Sequence, residues 1–179
     1  RLLPTVAELR REEVRNLPAA RQRQLLRTTP WNWERLSSPR DLLSQLEEDY
    51  AIRIEGKENM PHDLWPQVQL PAVDFVTKLS LVLGGFHVTF VWNAGGDAVR
   101  VVAMPESASI QRSYDTGARS ASLAKLFATK FADATIKARG NQLVVDGSAE
   151  VHEAVKRLLS GEPVRRPPEE GNKNYTLNV

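Results

Sequence analysis

The apolar residues of this chain switch repeatedly between helical and strand spacing, and no other sequence feature constrains the fold as strongly. Leu42, Leu43, Leu46 and Tyr50 recur at the spacing of one helical face, and Ile52-Arg53-Ile54 then alternates as a strand does. Similar changes of period recur toward the C-terminus. Short helices and strands mixed in this way predict an α+β fold and argue against a repeat solenoid.

The composition is that of an ordinary folded chain of one domain or two small ones. Of its 179 residues, 41% are hydrophobic and 26% are charged, which excludes a wholly disordered, collagen-like or fibrous protein. The longest nearly apolar stretch, Leu79 to Trp92, is interrupted by glycines and polar residues and is shorter than the ~20 residues of a membrane-spanning helix. The chain begins with Arg1 rather than Met, so we expect a trimmed or processed fragment.

We predict four segments, with boundaries where the pattern or the composition changes. Residues 1–29 form a helical N-terminal arm, residues 30–106 and 107–161 each form a small sheet with two helices on one face, and residues 162–179 form a linker and a last strand. In the arm, Thr5 and Glu8 have the spacing of a capping box, and Pro18 suits the first turn of a second helix. The predicted fold class is α+β, with two sheet-plus-two-helix modules behind a helical arm.

The first module combines clear helix signals with short alternating runs. Its strands should include residues 31–33, 52–54 and 68–70 and a hairpin of residues 86–92 and 98–104. Ser38 and Pro39 should begin its first helix as N-cap and first helical residue. Pro71 should begin the second helix, and Gly84 should end that helix as a left-handed cap.

The second module repeats this order in shorter form, as strand, helix, strand, strand and helix. Its strands should be residues 110–114, 135–138 and 143–145, and its helices residues 120–131 and 150–159. On the first of these helices, Leu123, Leu126, Phe127 and Phe131 should face the core.

The residue types on which most enzymes depend are absent or scattered. The chain has no Cys, which excludes thiol nucleophiles, disulfides, iron–sulfur ligation and cysteine-based zinc motifs. His62, His87 and His152 fall in different predicted elements without metal-ligand spacing, and no nucleophile context accompanies the His62-Asp63 pair. Phosphate-loop and dinucleotide fingerprints are missing as well. We therefore predict that the chain is not an enzyme and has no catalytic residue, metal site or cofactor.

Charge is segregated along the chain although the formal net charge is only +2. Residues 1–40 contain nine Arg against four Glu, residues 41–106 four basic against ten acidic residues, and residues 107–161 eight basic against five acidic residues. The acidic run Glu47-Glu48-Asp49 at the end of a helix is either a solvated face or a site for a basic partner. The arginines of the arm are either solvated or face an anionic surface.

The basic third segment makes a nucleic-acid-binding module the alternative interpretation, because Lys and Arg can follow a phosphate backbone. The residues concerned are Arg112, Arg119, Lys125, Lys130, Lys137 and Arg139. However, the GxxG loop with which KH domains hold the RNA backbone is absent from the sequence.

The four Trp residues lie at predicted strand edges or in loops. An exposed Trp often anchors a protein interface, whereas in a small domain Trp also seals the gap between sheet and helix. Trp65, between Pro61 and Pro66, is the best interface candidate, and Trp31 and Trp33 are further candidates. The terminal run alternates as a lone strand that would pair with a sheet edge, which adds Tyr175, Leu177 and Val179.

Two segments resemble known modules of the bacterial envelope. Ser38-Pro39-Arg40-Asp41-Leu42-Leu43, Ile52 to Glu55, Leu70 to Val73 and Leu79 to Phe90 resemble the short N-terminal (STN) domain shared by secretins and TonB-dependent transducers. Residues 109–160 are similar to the adjoining secretin N-domain, with Asn141 to Ser148 as the closest match. Tyr175 to Val179 resembles the first strand of a further module.

This resemblance implies a non-catalytic module in the periplasm or cell envelope that packs beside neighbours, binds partner proteins or relays a signal. Partner proteins, or further copies of the chain, would pair with exposed sheet edges. The family has no reactive site that could be transferred residue by residue.

Overall fold

A computed structural model describes residues 2–161 as an α+β fold, which confirms the predicted fold class. The described helices are α1 (Leu2–Val14), α2 (Ala19–Leu26), α3 (Pro39–Tyr50), α4 (Phe75–Gly84), α5 (Ser120–Lys130) and α6 (Ala149–Leu159). The described strands are β1 (Thr29–Trp33), β2 (Arg53–Glu55), β3 (Val68–Val73), β4 (Val88–Trp92), β5 (Ala98–Ala103), β6 (Ile110–Asp115), β7 (Thr135–Arg139) and β8 (Gln142–Gly147). The predicted terminal strand, residues 175–179, lies outside the described residues.

The two N-terminal helices pack onto the rest of the chain. Val14, Leu17 and Leu25 join the same buried cluster as α3 and α4. The predicted capping box is wrong, because α1 already begins at Leu2 and the side chain of Thr5 is buried within the helix. Instead, the Thr5 hydroxyl oxygen accepts a hydrogen bond from the Ala149 N–H at 3.1 Å. The helices therefore contact both later parts of the chain.

Helix α3 begins as predicted. The Ser38 side chain accepts from the Asp41 N–H, and the Asp41 carboxylate accepts from the Ser38 N–H, so that a capping box holds the first turn. Leu42, Leu43, Leu46 and Tyr50 are buried on one face.

Helix α4 differs from its prediction at both ends. Pro71 lies inside β3, and Asp74 is the N-cap because its carboxylate accepts the Thr77 N–H at 2.8 Å. Gly84 is the last helical residue, not a left-handed cap; a Cβ there would lie 2.6 Å from Leu3 Cδ2. The close approach of α1 thus explains the glycine better than chain reversal does.

Residues 30–106 build two sheets rather than the single sheet that we predicted. In one sheet, β1 pairs antiparallel with β3; in the other, the order is β2-β5-β4, with β2 parallel and β4 antiparallel to β5. Helix α4 packs against α1, α2, α3 and β4, because its buried residues Phe75, Val76, Leu79, Val82 and Leu83 leave little of its circumference polar. A helix that is apolar on most sides must be covered on most sides.

Residues 110–159 form the predicted strand, helix, strand, strand and helix. Both β6 and β7 pair antiparallel with the central strand β8. A second cluster of buried residues includes Phe127, Leu143, Val145 and Val155. Leu126, predicted to face the core, is 60% exposed, since Leu123 and Phe127 already define the inward face and Ala124 fills it. None of the helices in residues 2–161 is long and apolar enough to cross a membrane.

Candidate protein-interaction surface

Three aromatic side chains from distant parts of the sequence form a row, which we call the aromatic row: Trp33, Trp65 and Phe86. The Trp33 and Trp65 ring centroids are 5.9 Å apart, and the Trp65 and Phe86 rings stack with centroids 6.2 Å apart and 7° between their planes. Each of the three side chains is partly buried. One part of each ring therefore packs against the protein, and another part remains accessible.

Two loops are joined so that they present leucines beside this row. The Leu36 N–H donates to the Trp65 carbonyl at 2.8 Å, and the Trp65 N–H donates to the Ser37 carbonyl at 3.0 Å. On these loops Leu36 is 61% and Leu64 51% exposed. Leu36 also has a φ of 69°, which costs a non-glycine residue roughly 1–2 kcal/mol. Strain of this kind concentrates at functional sites.

The polar atoms of the row are already satisfied within the chain. The Trp33 indole N–H donates to the Pro66 carbonyl at 2.9 Å, and the Trp65 indole N–H donates to the Asp63 carboxylate at 2.8 Å. Binding at the rings therefore needs no new hydrogen bond from either indole. The row thus offers an apolar surface with fixed ring orientations, which suits an interface anchor.

The structure places the predicted interface residues in three different environments. Trp65 and Trp33 lie together in the aromatic row. Trp31, 2% exposed, packs in the first buried cluster, so its side chain offers almost no surface to a partner. Tyr175, Leu177 and Val179 lie outside the described residues. The sequence interpretation missed Leu36, Leu64 and Phe86, although isolated leucines in polar, proline-bounded loops were a usable signal for the first two.

A second feature, which we call the charged junction, joins α1, α4 and β6. Its members are Glu8, Arg11, Glu12, Asp74 and Arg112. Arg112 donates to Glu8 at 2.6 Å and to Glu12 at 2.6 and 3.0 Å, and Arg11 pairs with Glu8 and, at 2.7 Å, with Asp74. Arg11 also donates to the Thr77 hydroxyl at 2.8 Å. The junction connects α1 and the start of α4 to β6.

Two carboxylates of the junction have shifted acidities. Burial raises the pKa of Glu8, but hydrogen bonds and charge attraction from Arg112 and Arg11 outweigh burial and hold that pKa below its ordinary value. Burial likewise raises the pKa of Asp74, and hydrogen bonds from Arg11 and Thr77 reverse the effect, so that its pKa is also lowered. Both groups are therefore charged at neutral pH, which keeps the junction formed.

The three histidines lie apart, as their sequence positions predict. His62 and His87 are exposed, whereas His152 is buried in α6. The His152 Nε2–H donates to the Ile110 carbonyl at 2.7 Å, and its Nδ1 accepts from the Tyr114 hydroxyl at 2.8 Å. Burial lowers the pKa of His152, and the Ile110 carbonyl offsets only part of that effect. Within residues 2–161, no group of three or more His, Cys, Asp or Glu side chains could hold a metal ion.

The fold places the members of each charged group that the sequence suggested in different environments. Glu47 accepts from the Ile54 N–H and pairs with Lys57, so it serves the turn after α3, whereas Glu48 and Asp49 are exposed. Arg112 is engaged in the charged junction. The remaining basic candidates are exposed: Arg119, Lys125, Lys130, Lys137 and Arg139.

A comparison with solved structures finds a weak similarity. No family model and no curated protein matches the sequence. A solved structure titled "Structure of XcpQN012" aligns over 78% of this chain and 68% of its own, with 14% identity and a TM-score of 0.27. The chain is thus weakly similar to the N-terminal region of a secretin. A similarity of this size carries no argument about function.

Proposed function

We propose that this chain is a non-catalytic protein-interaction and assembly module of the cell envelope, in a secretin-like or TonB-linked system. The aromatic row is the observation that carries the proposal. Two exposed leucines, Leu36 and Leu64, flank its partly accessible rings, and Leu36 has a left-handed backbone conformation with a φ of 69°. Large, rigid aromatic surface of this kind supplies binding energy at low conformational cost.

The location in the periplasm or envelope is part of the same proposal. It comes from the resemblance of about residues 31–105 to STN domains and of residues 109–160 to secretin N-domains. The proposed division into units at residues 30–106 and 107–161 is supported by the two separate clusters of buried residues. Partners would be other envelope proteins or further copies of the chain. No cofactor and no chemical step belong to this function.

Nucleic-acid binding is the second candidate, favoured by the exposed basic residues of the second module. Lys137 and Arg139 lie on β7, at the edge of the sheet, and both are exposed. Phosphate contacts through such residues would weaken steeply with salt, whereas contacts through the aromatic row would not. The two candidates therefore predict opposite salt dependences.

A photo-crosslinking experiment in the protein's own cells tests the proposal. Benzoylphenylalanine replaces Leu64, beside the aromatic row, or Leu126, a similarly exposed leucine on α5 that serves as the matched control. We expect a discrete protein adduct from position 64, stable to nuclease treatment and absent from position 126. Equal labelling at both positions, or an adduct that nuclease removes, would overturn the proposed function.

A further inference from the structure

The central strand β5 has an open edge along its second half. On one side β4 pairs with β5 throughout, from Val99 to Ala103. On the other side β2 pairs only with Ala98–Arg100. Gly56, with a φ of 91°, then turns the chain away while its backbone packs against Val101, 3.3 Å from where its Cβ would lie. Among the described strands, none continues beside Val101–Ala103 on this side.

At Ala103, the backbone N–H and C=O groups point away from β4. The Met104 N–H donates to the His87 carbonyl at 3.0 Å, as the Asn93 N–H does to the Ala98 carbonyl. Successive residues of a strand direct their N–H and C=O groups to opposite sides, so those of Ala103 point to the open side. An unpaired edge of this kind is a template for another strand.

An apolar groove of about 420 Å³ runs along this edge, and we call it the β5 groove. Its apolar lining residues are Met60, Pro61, Phe86, Val88, Val101 and Val102. Phe86 also belongs to the aromatic row, so the groove continues that surface. A groove that combines an open strand edge with apolar walls takes an extended segment with apolar side chains at alternate positions.

The charges beside the groove favour a basic occupant. Glu58 directly precedes the wall formed by residues 59–61, and Glu106 closely follows the edge strand. Both glutamates are exposed and have no ion-pair partner within residues 2–161. Arg40 lies at the same wall, where it donates to the Glu58 and Met60 carbonyls, but it forms no described ion pair with either glutamate. A lysine or arginine on the incoming segment would therefore find a carboxylate that has no described ion-pair partner.

We propose that the β5 groove binds an extended, basic segment of a partner protein, which adds a strand beside Val101–Ala103. Main-chain hydrogen bonds to Ala103 set its register, alternate apolar side chains enter the groove, and intervening Lys or Arg side chains approach Glu58 and Glu106. The inference rests on the proposed function in one respect, that the chain binds proteins; it adds the site and the chemistry of a partner.

The probe is a capped heptapeptide of alternating lysine and valine, added to the full chain while its amide resonances are recorded. We expect saturable shifts centred on Val101–Ala103 and slower hydrogen exchange at the Ala103 amide. A matched peptide of alternating glutamate and valine should bind at least tenfold more weakly. Two further lysine–valine peptides are N-methylated, one at the odd and one at the even residues, so that each lacks the N–H groups of one strand edge. One of the two should fail to bind.

Variants of the chain test the same contact from the other side. Ala103→Pro removes the outward N–H while leaving the β4 side paired, and it should weaken binding at least tenfold; Ala103→Ser keeps the N–H and should bind as wild type does. Glu58→Gln combined with Glu106→Gln should weaken binding by a few fold. The proposal would be overturned if the lysine–valine and glutamate–valine peptides bound equally well, or if the shifts centred on β7. It would also be overturned if both N-methylated peptides bound as well as the unmethylated one. If these tests fail while Leu64 still crosslinks to protein, the groove assignment falls and the proposed function stands.

Discussion

Replacing Arg112 with methionine should destabilise the whole chain, because this side chain connects α1 to the second sheet. Methionine keeps a long apolar stem but cannot form the charge-assisted hydrogen bonds to Glu8 and Glu12. Glu8 retains Arg11, whereas Glu12 is left without a described cation. The substitution therefore removes the junction's link to β6 and leaves its link to α4 intact.

The size of the effect follows from the exposure of the three side chains. Arg112, Glu8 and Glu12 are 20%, 23% and 28% exposed, which places the cluster between a surface pair and a buried one. Surface pairs contribute up to about 1 kcal/mol, and breaking a buried pair costs roughly 3–5 kcal/mol. We expect a loss of about 2 kcal/mol, which corresponds to a fall in Tm of roughly 4–8 °C for a chain of this size.

Thermal and urea unfolding monitored by circular dichroism measure this loss. Arg119→Met is the matched control, because Arg119 is exposed and forms no described ion pair; it should change stability by less than about 0.5 kcal/mol. In a double-mutant cycle with Glu12→Gln, the coupling energy should exceed roughly 0.5 kcal/mol. Equal effects of the Arg112 and Arg119 substitutions would refute the structural role of the junction.

Three further substitutions test other parts of the structure. In chemical denaturation, Gly96→Ala should lower the free energy of unfolding more than Gly140→Ala does. Both glycines have positive φ, but only at Gly96 would a Cβ meet Leu17, at 2.7 Å. Equal losses would contradict the packing of the N-terminal helices. Asp74→Asn should lower stability by about 1–3 kcal/mol, because the α4 N-cap loses its charge and Arg11 loses one of its two carboxylate partners; Asp49→Asn, at an exposed site, should not. The lowered pKa of His152 means that the unfolded chain binds the proton more tightly, so stability should fall as pH decreases from about 6.5 toward the folded-state pKa. His152→Gln should remove this part of the urea-denaturation pH profile, and an unchanged slope would show that another group titrates there.

The second module could be predicted closely because its local signals agree with its tertiary contacts. The helix at residues 150–159 follows Ser148, whose side chain accepts the Val151 N–H, and the strands of residues 135–147 surround a short turn at Gly140. Ser38 and Pro39 fixed the start of α3 in the same way. Where cap, turn and period indicate the same boundary, the sequence is sufficient.

The missed features depend on contacts between distant residues. Pro71 is a common first residue of a helix, yet β1 pairing extends β3 through it, and Asp74 supplies a better cap. Lys78 is fully buried on α4, where its ammonium donates to the hydroxyls of Thr29 and Tyr50 at 2.6 and 3.1 Å. No local pattern distinguishes such a lysine from an exposed one.

The candidate surface could be predicted only in part for the same reason. Trp65 was recognisable between two prolines, but its neighbours Trp33 and Phe86 come from β1 and the turn after α4. The β5 groove depends on β2 ending early, which the alternation of residues 52–54 does not reveal. Surfaces assembled from several elements therefore need the structure.

The central claim, that the surface beside the aromatic row binds protein, is tested most directly by one quantitative crosslinking measurement. Benzoylphenylalanine replaces Leu36, and the yield of protein adduct in the protein's own cells is compared between Leu64→Glu and Leu126→Glu, which charge two leucines of 51% and 60% exposure. We expect the adduct to fall at least fivefold with Leu64→Glu and to remain unchanged with Leu126→Glu. Equal yields in the two variants, at equal protein levels, would contradict the account.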